Sequence, residues 1–125
     1  MSQEEYKNLL EQTKKWYKTL KKCFCGALKK DIVFNSKGFY HLLYDGKGHG
    51  RTNKERIERL KVLVYVPEVL KECLHISVKK YGDIYYWKLQ GVVGIEKIPI
   101  TIILRKIGNG QIMFYSVWKN WSRND

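Results

Sequence analysis

Between Ser36 and Arg51 the chain reads SKGFYHLLYDGKGHGR, which crowds His41, Lys47, His49 and Arg51 into one short stretch. An imidazole takes or gives a proton near neutral pH, because its ordinary pKa is about 6.5. A guanidinium can hold two phosphate oxygens in its planar fork, and an ammonium can neutralise one. Gly46, Gly48 and Gly50 offer backbone N–H donors to the same anion. Together these groups suit attack of an RNA 2′-hydroxyl on the adjacent phosphorus. That reaction needs a base for the hydroxyl, an acid for the departing 5′-oxygen, and fixed positive charge on the equatorial oxygens. His41 is the expected principal acid-base residue and His49 the second proton carrier, with Arg51 and Lys47 as the phosphate cations. GKGHGR is not a Walker loop, since it lacks the GK[ST] ending.

Charge points the same way. Twenty-four Lys and Arg against twelve Asp and Glu leave a formal charge of +12 on 125 residues. Such a chain suits a polyanion, nucleic acid first and an anionic membrane surface second. Three cysteines, Cys23, Cys25 and Cys73, cannot all pair within the chain. Free thiols and an N-terminus without an apolar leader imply a reduced compartment, the cytoplasm or that of a target cell. No apolar run approaches the ~18 residues of a membrane span. No CxxC or HxxxH spacing signals zinc, so the reading calls for no metal and no cofactor.

Elements must hold these groups in place. Apolar residues recur every three or four positions over 3–29, from Tyr6, Leu9 and Leu10 to Leu28, predicting an N-terminal amphipathic helix over 1–30. DIVFN, from Asp31, predicts a short strand, and Ser36 is placed to cap a helix reaching Tyr44, with His41 opposite Leu43. DGKGHG reads as a loop, Asn53 as the cap of a helix carrying Lys54, Arg56 and Arg59, and Pro67 as the first turn of another. From Leu74 the period changes to two. LHISVKK, IYYWKLQGVV, IPITIILRKI and QIMFYSVWK predict an antiparallel meander, with His75 a structural strand residue.

Asn109-Gly110 is the strongest hairpin signal and sets a register in which Leu104 faces Tyr115 and Ile103 faces Ser116. Ile100, Ile102, Leu104, Met113, Tyr115 and Val117 then share the core face. Thr101, Arg105, Phe114, Ser116 and Trp118, with Tyr86 and Lys88, share the open one. That face is either an ordinary half-wet sheet or a platform on which a base stacks beside a phosphate. Lys54 joins it as a further substrate cation, and Ser116 is placed to donate to the phosphate or orient the histidine.

The order of parts in FYHLLYDGKGHGR, IERLKVLVYVPEVL, YWKLQGVV and LRKIGNGQIMFYSVWK resembles the barnase/EndoU/colicin/RelE-like superfamily of metal-independent ribonucleases, in particular its phage- and toxin-associated branch. The likeness covers about residues 31–119. It implies an RNA endonuclease leaving 2′,3′-cyclic phosphate ends, acting as a toxin or phage effector. Its RNA would be tRNA, mRNA or rRNA, and a cognate antitoxin or immunity protein a candidate partner. His41 matches the histidine of the first motif, Arg51 the basic residue of the following loop and Ser116 the hydroxyl on the last strand. No glutamate stands where the barnase type has its general base. His49 is the residue available for the second histidine of the EndoU type.

The reading is therefore one α+β domain over 1–125. N-terminal helices precede a four-stranded antiparallel sheet, with room for an extra short strand, in a core over 31–119 and a tail over 120–125. Its expected state is a monomer and its expected activity metal-independent endoribonuclease. The alternative is a non-catalytic RNA- or DNA-binding module using the same basic face. The stripe on the first helix either covers the sheet or mediates self-association or docking of an inhibitor.

Overall fold

The computed structural model describes residues 1–120. The tail expected over 120–125 lies, beyond Asn120, outside the described residues. Helix α1 (Gln3–Leu20) begins in a capping box: Ser2 Oγ accepts the Glu5 amide and the Glu5 carboxylate accepts the Ser2 amide. It ends well before residue 30, at Lys21, whose φ of 51° leaves the helical region. Strands β1 (Lys22–Cys25) and β2 (Lys30–Val33) follow as an antiparallel hairpin. Cys23 and Cys25 are buried while Phe24 between them is exposed, so both free thiols lie on one face of β1. The helical spacing of Leu20, Phe24 and Ala27 had masked this alternation.

Helix α2 (Ser36–Leu43) is capped by Asn35, not Ser36: the Asn35 side chain accepts the Lys37 and Gly38 amides. Helix α3 (Asn53–Leu63) is capped in the same way by Thr52, not Asn53. In both cases the capping residue lies one position earlier than expected, in extended backbone. Helix α4 (Val66–Glu72) carries Pro67 in its first turn, as predicted.

Strands β3 (Ser77–Tyr81), β4 (Ile84–Val93), β5 (Ile98–Ile107) and β6 (Met113–Lys119) form the expected meander. They are not a separate four-stranded sheet. Val33 of β2 pairs in parallel with Met113 of β6, giving a mixed six-stranded sheet in the order β1-β2-β6-β5-β4-β3. His75 precedes β3 in an exposed connection and is not a strand residue.

The β5–β6 register is as expected from Ile103–Ser116 through Thr101–Trp118 and then slips. Leu104 faces Phe114, so Tyr115 is the extra residue of a β-bulge. The turn has moved too: the Gly110 amide donates to the Ile107 carbonyl at 3.0 Å, centring it on Gly108 and Asn109. Gly108 is the residue there with positive φ, 55°. In consequence Phe114 turns inward, 1% exposed and stacked on Phe34 at 5.2 Å, while Tyr115 turns to the open side.

The core lies between the sheet and helices α3 and α4, where Leu60, Leu63, Val66 and Leu70 meet Leu89, Ile100, Ile102 and Leu104. Helix α2 packs against β6 at Gly38. A Cβ there would stand 2.6 Å from the Phe114 carbonyl oxygen and 2.8 Å from the Tyr17 hydroxyl. Only glycine permits that approach, which fixes the distance between His41 and β6.

Candidate functional site

The open face of the sheet is built in rows. Gln90, Thr101 and Trp118 make one, Ser77, Lys88, Ile103 and Ser116 the next, and Lys79, Tyr86, Arg105 and Met113 the third. Helix α2 brings His41 over this face beside the bulge. Its ring lies 4.2 Å from the Tyr115 ring, centroid to centroid, and Tyr40 meets it edge-on at 5.9 Å. The Arg105 guanidinium sits over the Tyr115 ring, 4.6 Å from its centroid. Arg105 Nε is buried without a hydrogen-bond partner, an arrangement that is costly unless an anion or acceptor shares the guanidinium.

Arg51 closes the site from the loop side. Its Nε donates to the His41 carbonyl at 3.1 Å, its Nη1 lies 3.8 Å from a Glu55 carboxylate oxygen, and its side chain is 16% exposed. Arg59 on α3 donates through Nη1 to Ser116 Oγ at 2.9 Å and to the Val117 carbonyl at 3.3 Å. Arg51 is thus bonded to the backbone of His41, and Ser116 to Arg59. Arg105, Tyr115 and His41 lie in sequence by ring contacts, and among the described residues no hydrogen bond or ring contact joins the Arg59–Ser116 pair to them.

Electrostatics follow the geometry. Burial, then Arg105, Arg51 and Lys37, hold the His41 pKa below its ordinary value. Burial is the largest of these causes and the three charges are cations, so the neutral imidazole is favoured over the charged one. Arg59 is pushed down to about 10, first by burial and then by Arg51, with Glu55 and Glu58 opposing. Among the described residues, no cluster of three or more His, Cys, Asp or Glu is arranged to hold a metal ion.

The loop half differs from its expected form. Asp45 Oδ1 accepts the Lys47 and His49 amides, both at 2.9 Å, and its carbonyl accepts the Gly48 amide at 3.0 Å. Of the glycine amides expected to hold an anion, that of Gly48 is therefore spent on the loop's own aspartate, as are those of Lys47 and His49. His49 is 76% exposed, with Nδ1 3.7 Å from the Asp45 carboxylate, and no contact brings it to His41. Lys47 and Lys54 are exposed on the flanks of the site.

On the sheet, Tyr86 and Lys88 lie on the open face as expected, Tyr86 edge-on to Tyr115 at 5.7 Å. Trp118 lies under the Arg59 guanidinium at 5.7 Å. Thr101 is 2% exposed and donates to Asn120 Oδ1 at 2.7 Å, a structural bond and not a surface contact. Phe114, expected to stack a base, is in the core and cannot reach one. Ser116 is 5% exposed, so its hydroxyl acts through Arg59.

Tyr115 and Arg59 are the residues that sequence reasoning misplaced or left open. Tyr115 had been assigned to the core by strict alternation. The signal for the slip was the run Ile112, Met113, Phe114, Tyr115, which has no polar residue to fix its phase. Arg59, carried on the helix after the loop, reaches Ser116 on the sheet. Arg56 is structural, its Nε donating to the Leu43 carbonyl at 3.0 Å. A mainly apolar groove between α1 and α2, lined by Leu10, Tyr17, Phe39, Tyr40 and Leu43, shares Tyr40 with this cluster. The chain matches no known family, curated protein or solved structure in the comparisons made.

Proposed function

We propose that this chain is an endoribonuclease that opens RNA by transphosphorylation to a 2′,3′-cyclic phosphate, in the manner of the barnase/EndoU/colicin/RelE-like enzymes. The observation that carries this reading is a half-buried histidine packed on Tyr115, whose ring also carries Arg105 with a buried guanidinium nitrogen that has no hydrogen-bond partner; burial and nearby cations both favour the neutral imidazole. A neutral imidazole can accept the 2′-hydroxyl proton while the O2′–P bond forms. Arg51 and Arg105 hold the phosphate oxygens as charge builds on them, and Arg59, steadied by Ser116, adds to the field. As the P–O5′ bond breaks, the departing oxygen takes a proton from water, and His41 later returns its own to solvent. Tyr86 and Tyr115 offer ring surfaces to an unstacked base.

By the same likeness the protein acts as a toxin or phage effector on tRNA, mRNA or rRNA, with an inhibitor protein as partner. A second reading, a non-catalytic RNA- or DNA-binding module, is favoured by His49, which stands on Asp45 and supplies no second proton carrier. Incubation with total RNA in EDTA, followed by end-group mapping, separates the two. Cyclic phosphate and 5′-hydroxyl ends are expected. Intact RNA with salt-sensitive binding would leave only the binding module.

A further inference from the structure

The aromatic contacts do not stop at the catalytic cluster. From His41 they pass to Tyr115 at 4.2 Å, to Tyr86 at 5.7 Å and to Tyr81 at 6.0 Å. The file crosses from β6 to the edge strand β3, three strand spacings or about 14 Å. At its far end lies a groove of about 290 Å³ lined by Ser77, Lys79, Tyr81, Tyr86, Lys88 and Ile103. That volume is near the ~300 Å³ lower bound of small-ligand pockets and so fits one nucleotide unit, not a duplex.

Its chemistry is that of a nucleotide. Tyr81 is 61% exposed and meets Tyr86 edge-on, giving a ring whose outer surface is open. Lys79 faces Tyr86 across the β3–β4 pair and Lys88, opposite Ser77, is the next residue on this face of β4, so two cations stand side by side next to the rings. All five residues of β3 are exposed. Rings that take a base, flanked by cations that take its phosphate, form the usual surface for single-stranded nucleic acid.

We infer that the β3–β4 groove is a subsite for a nucleotide flanking the bond cleaved at His41, so that the substrate is single-stranded RNA several nucleotides long. This rests on the proposed ribonuclease reading. A paired base is already stacked on its neighbours and cannot lie on Tyr81, so duplex RNA is excluded from the groove.

The test uses the full chain and fluorescently labelled 2′-O-methyl RNA, which binds but cannot be cleaved. Binding is expected to tighten from a dinucleotide to a longer single strand, and Tyr81→Ala to remove roughly tenfold of that gain. Lys79→Gln is expected to lower the salt slope for the longer strand by about one phosphate contact. Cleavage of an unmodified dinucleotide should be the same in both variants as in the parent. Equal affinity for short and long strands, equal affinity for the duplex, or unchanged binding by Tyr81→Ala would overturn the subsite. Length-dependent binding sensitive to Tyr81, with no cleavage of any RNA, would keep the subsite and overturn the ribonuclease.

Discussion

The site has two walls built on different principles. The loop wall, Asp45 to Gly50, is rich in charged side chains and contiguous in sequence, yet it is exposed and bonded mainly to itself through Asp45. The sheet wall gathers Arg105, Tyr115 and Ser116 from two strands and meets His41 and Arg59 from two helices, with its polar groups partly or fully buried. Charges lose strength in water and gain it when desolvated: burial shifts His41 most, then Arg105 on the sheet wall, then Arg51 just past the loop and Lys37 on α2. Density of reactive residues along a chain is thus a poor guide to where they act.

The sharpest way to break this comparison is at the bulge, where Phe114 and Tyr115 take opposite sides. Phe114→Ala removes a ring from the core and is expected to cost about 3–5 kcal/mol. Thermal denaturation should then show Tm lower by about 10–20 °C. Tyr115→Ala, on the open side, should lose RNA binding and cleavage with a much smaller change in Tm. The reverse pattern would restore strict alternation along β6 and dismantle the sheet wall.

Next in size is the contrast between the histidines. Loss of a general base costs on the order of a hundredfold, about 2.7 kcal/mol in the barrier. His41→Ala should show that loss in RNA cleavage measured in EDTA, whereas His49→Ala should stay within about twofold. If both variants lose activity alike, the loop wall folds onto the substrate and His49 is the second proton carrier after all.

Much of this arrangement was legible beforehand. Strands β4 and β5 fall where period-two alternation put them, and α2, the basic loop and α3 follow in the expected order. Local rules govern those elements, and local rules are what a single sequence displays. What was not legible depended on distant partners. Residues 22–29 fit a helical repeat, but 22–25 pair with β2 across a turn over 26–29, and β2 joins the sheet where Val33 pairs with Met113. The bulge is decided by Phe114 finding Phe34 and Tyr17, residues far away in the chain. The convergence of Arg59 on Ser116 has the same origin. His41 and Arg51 were recognisable because one short helix and its loop hold them together, while Tyr115 was hidden by the register.

A smaller effect distinguishes the walls by pH. His41 binds its proton less readily in the folded chain than in the unfolded one, where its pKa is about 6.5. Between the two values the unfolded state holds more protons, so stability rises with pH there. The contribution is complete above about 6.5 and is lost as the pH falls through the folded value. His41→Gln should therefore flatten the fall in Tm between about pH 7 and pH 5. A fall of the same steepness in the variant would show that the cations around His41 do not act on it.

The smallest expected effect lies at Lys47. Its side chain is exposed on the loop, and its amide serves Asp45. An exposed ammonium is screened within about 10 Å at 0.1 M salt, so it can guide RNA inward but cannot fix it at the reacting phosphate. Lys47→Ala is expected to reduce the salt slope of binding by about one and to weaken affinity for all sequences alike. Cleavage at saturating RNA should be unchanged, because Arg51 and Arg105 remain in place. A drop in the saturated rate would mean that Lys47 touches the phosphate as charge develops. The loop wall would then belong to the chemistry, and the distinction between a guiding wall and a reacting wall would fail.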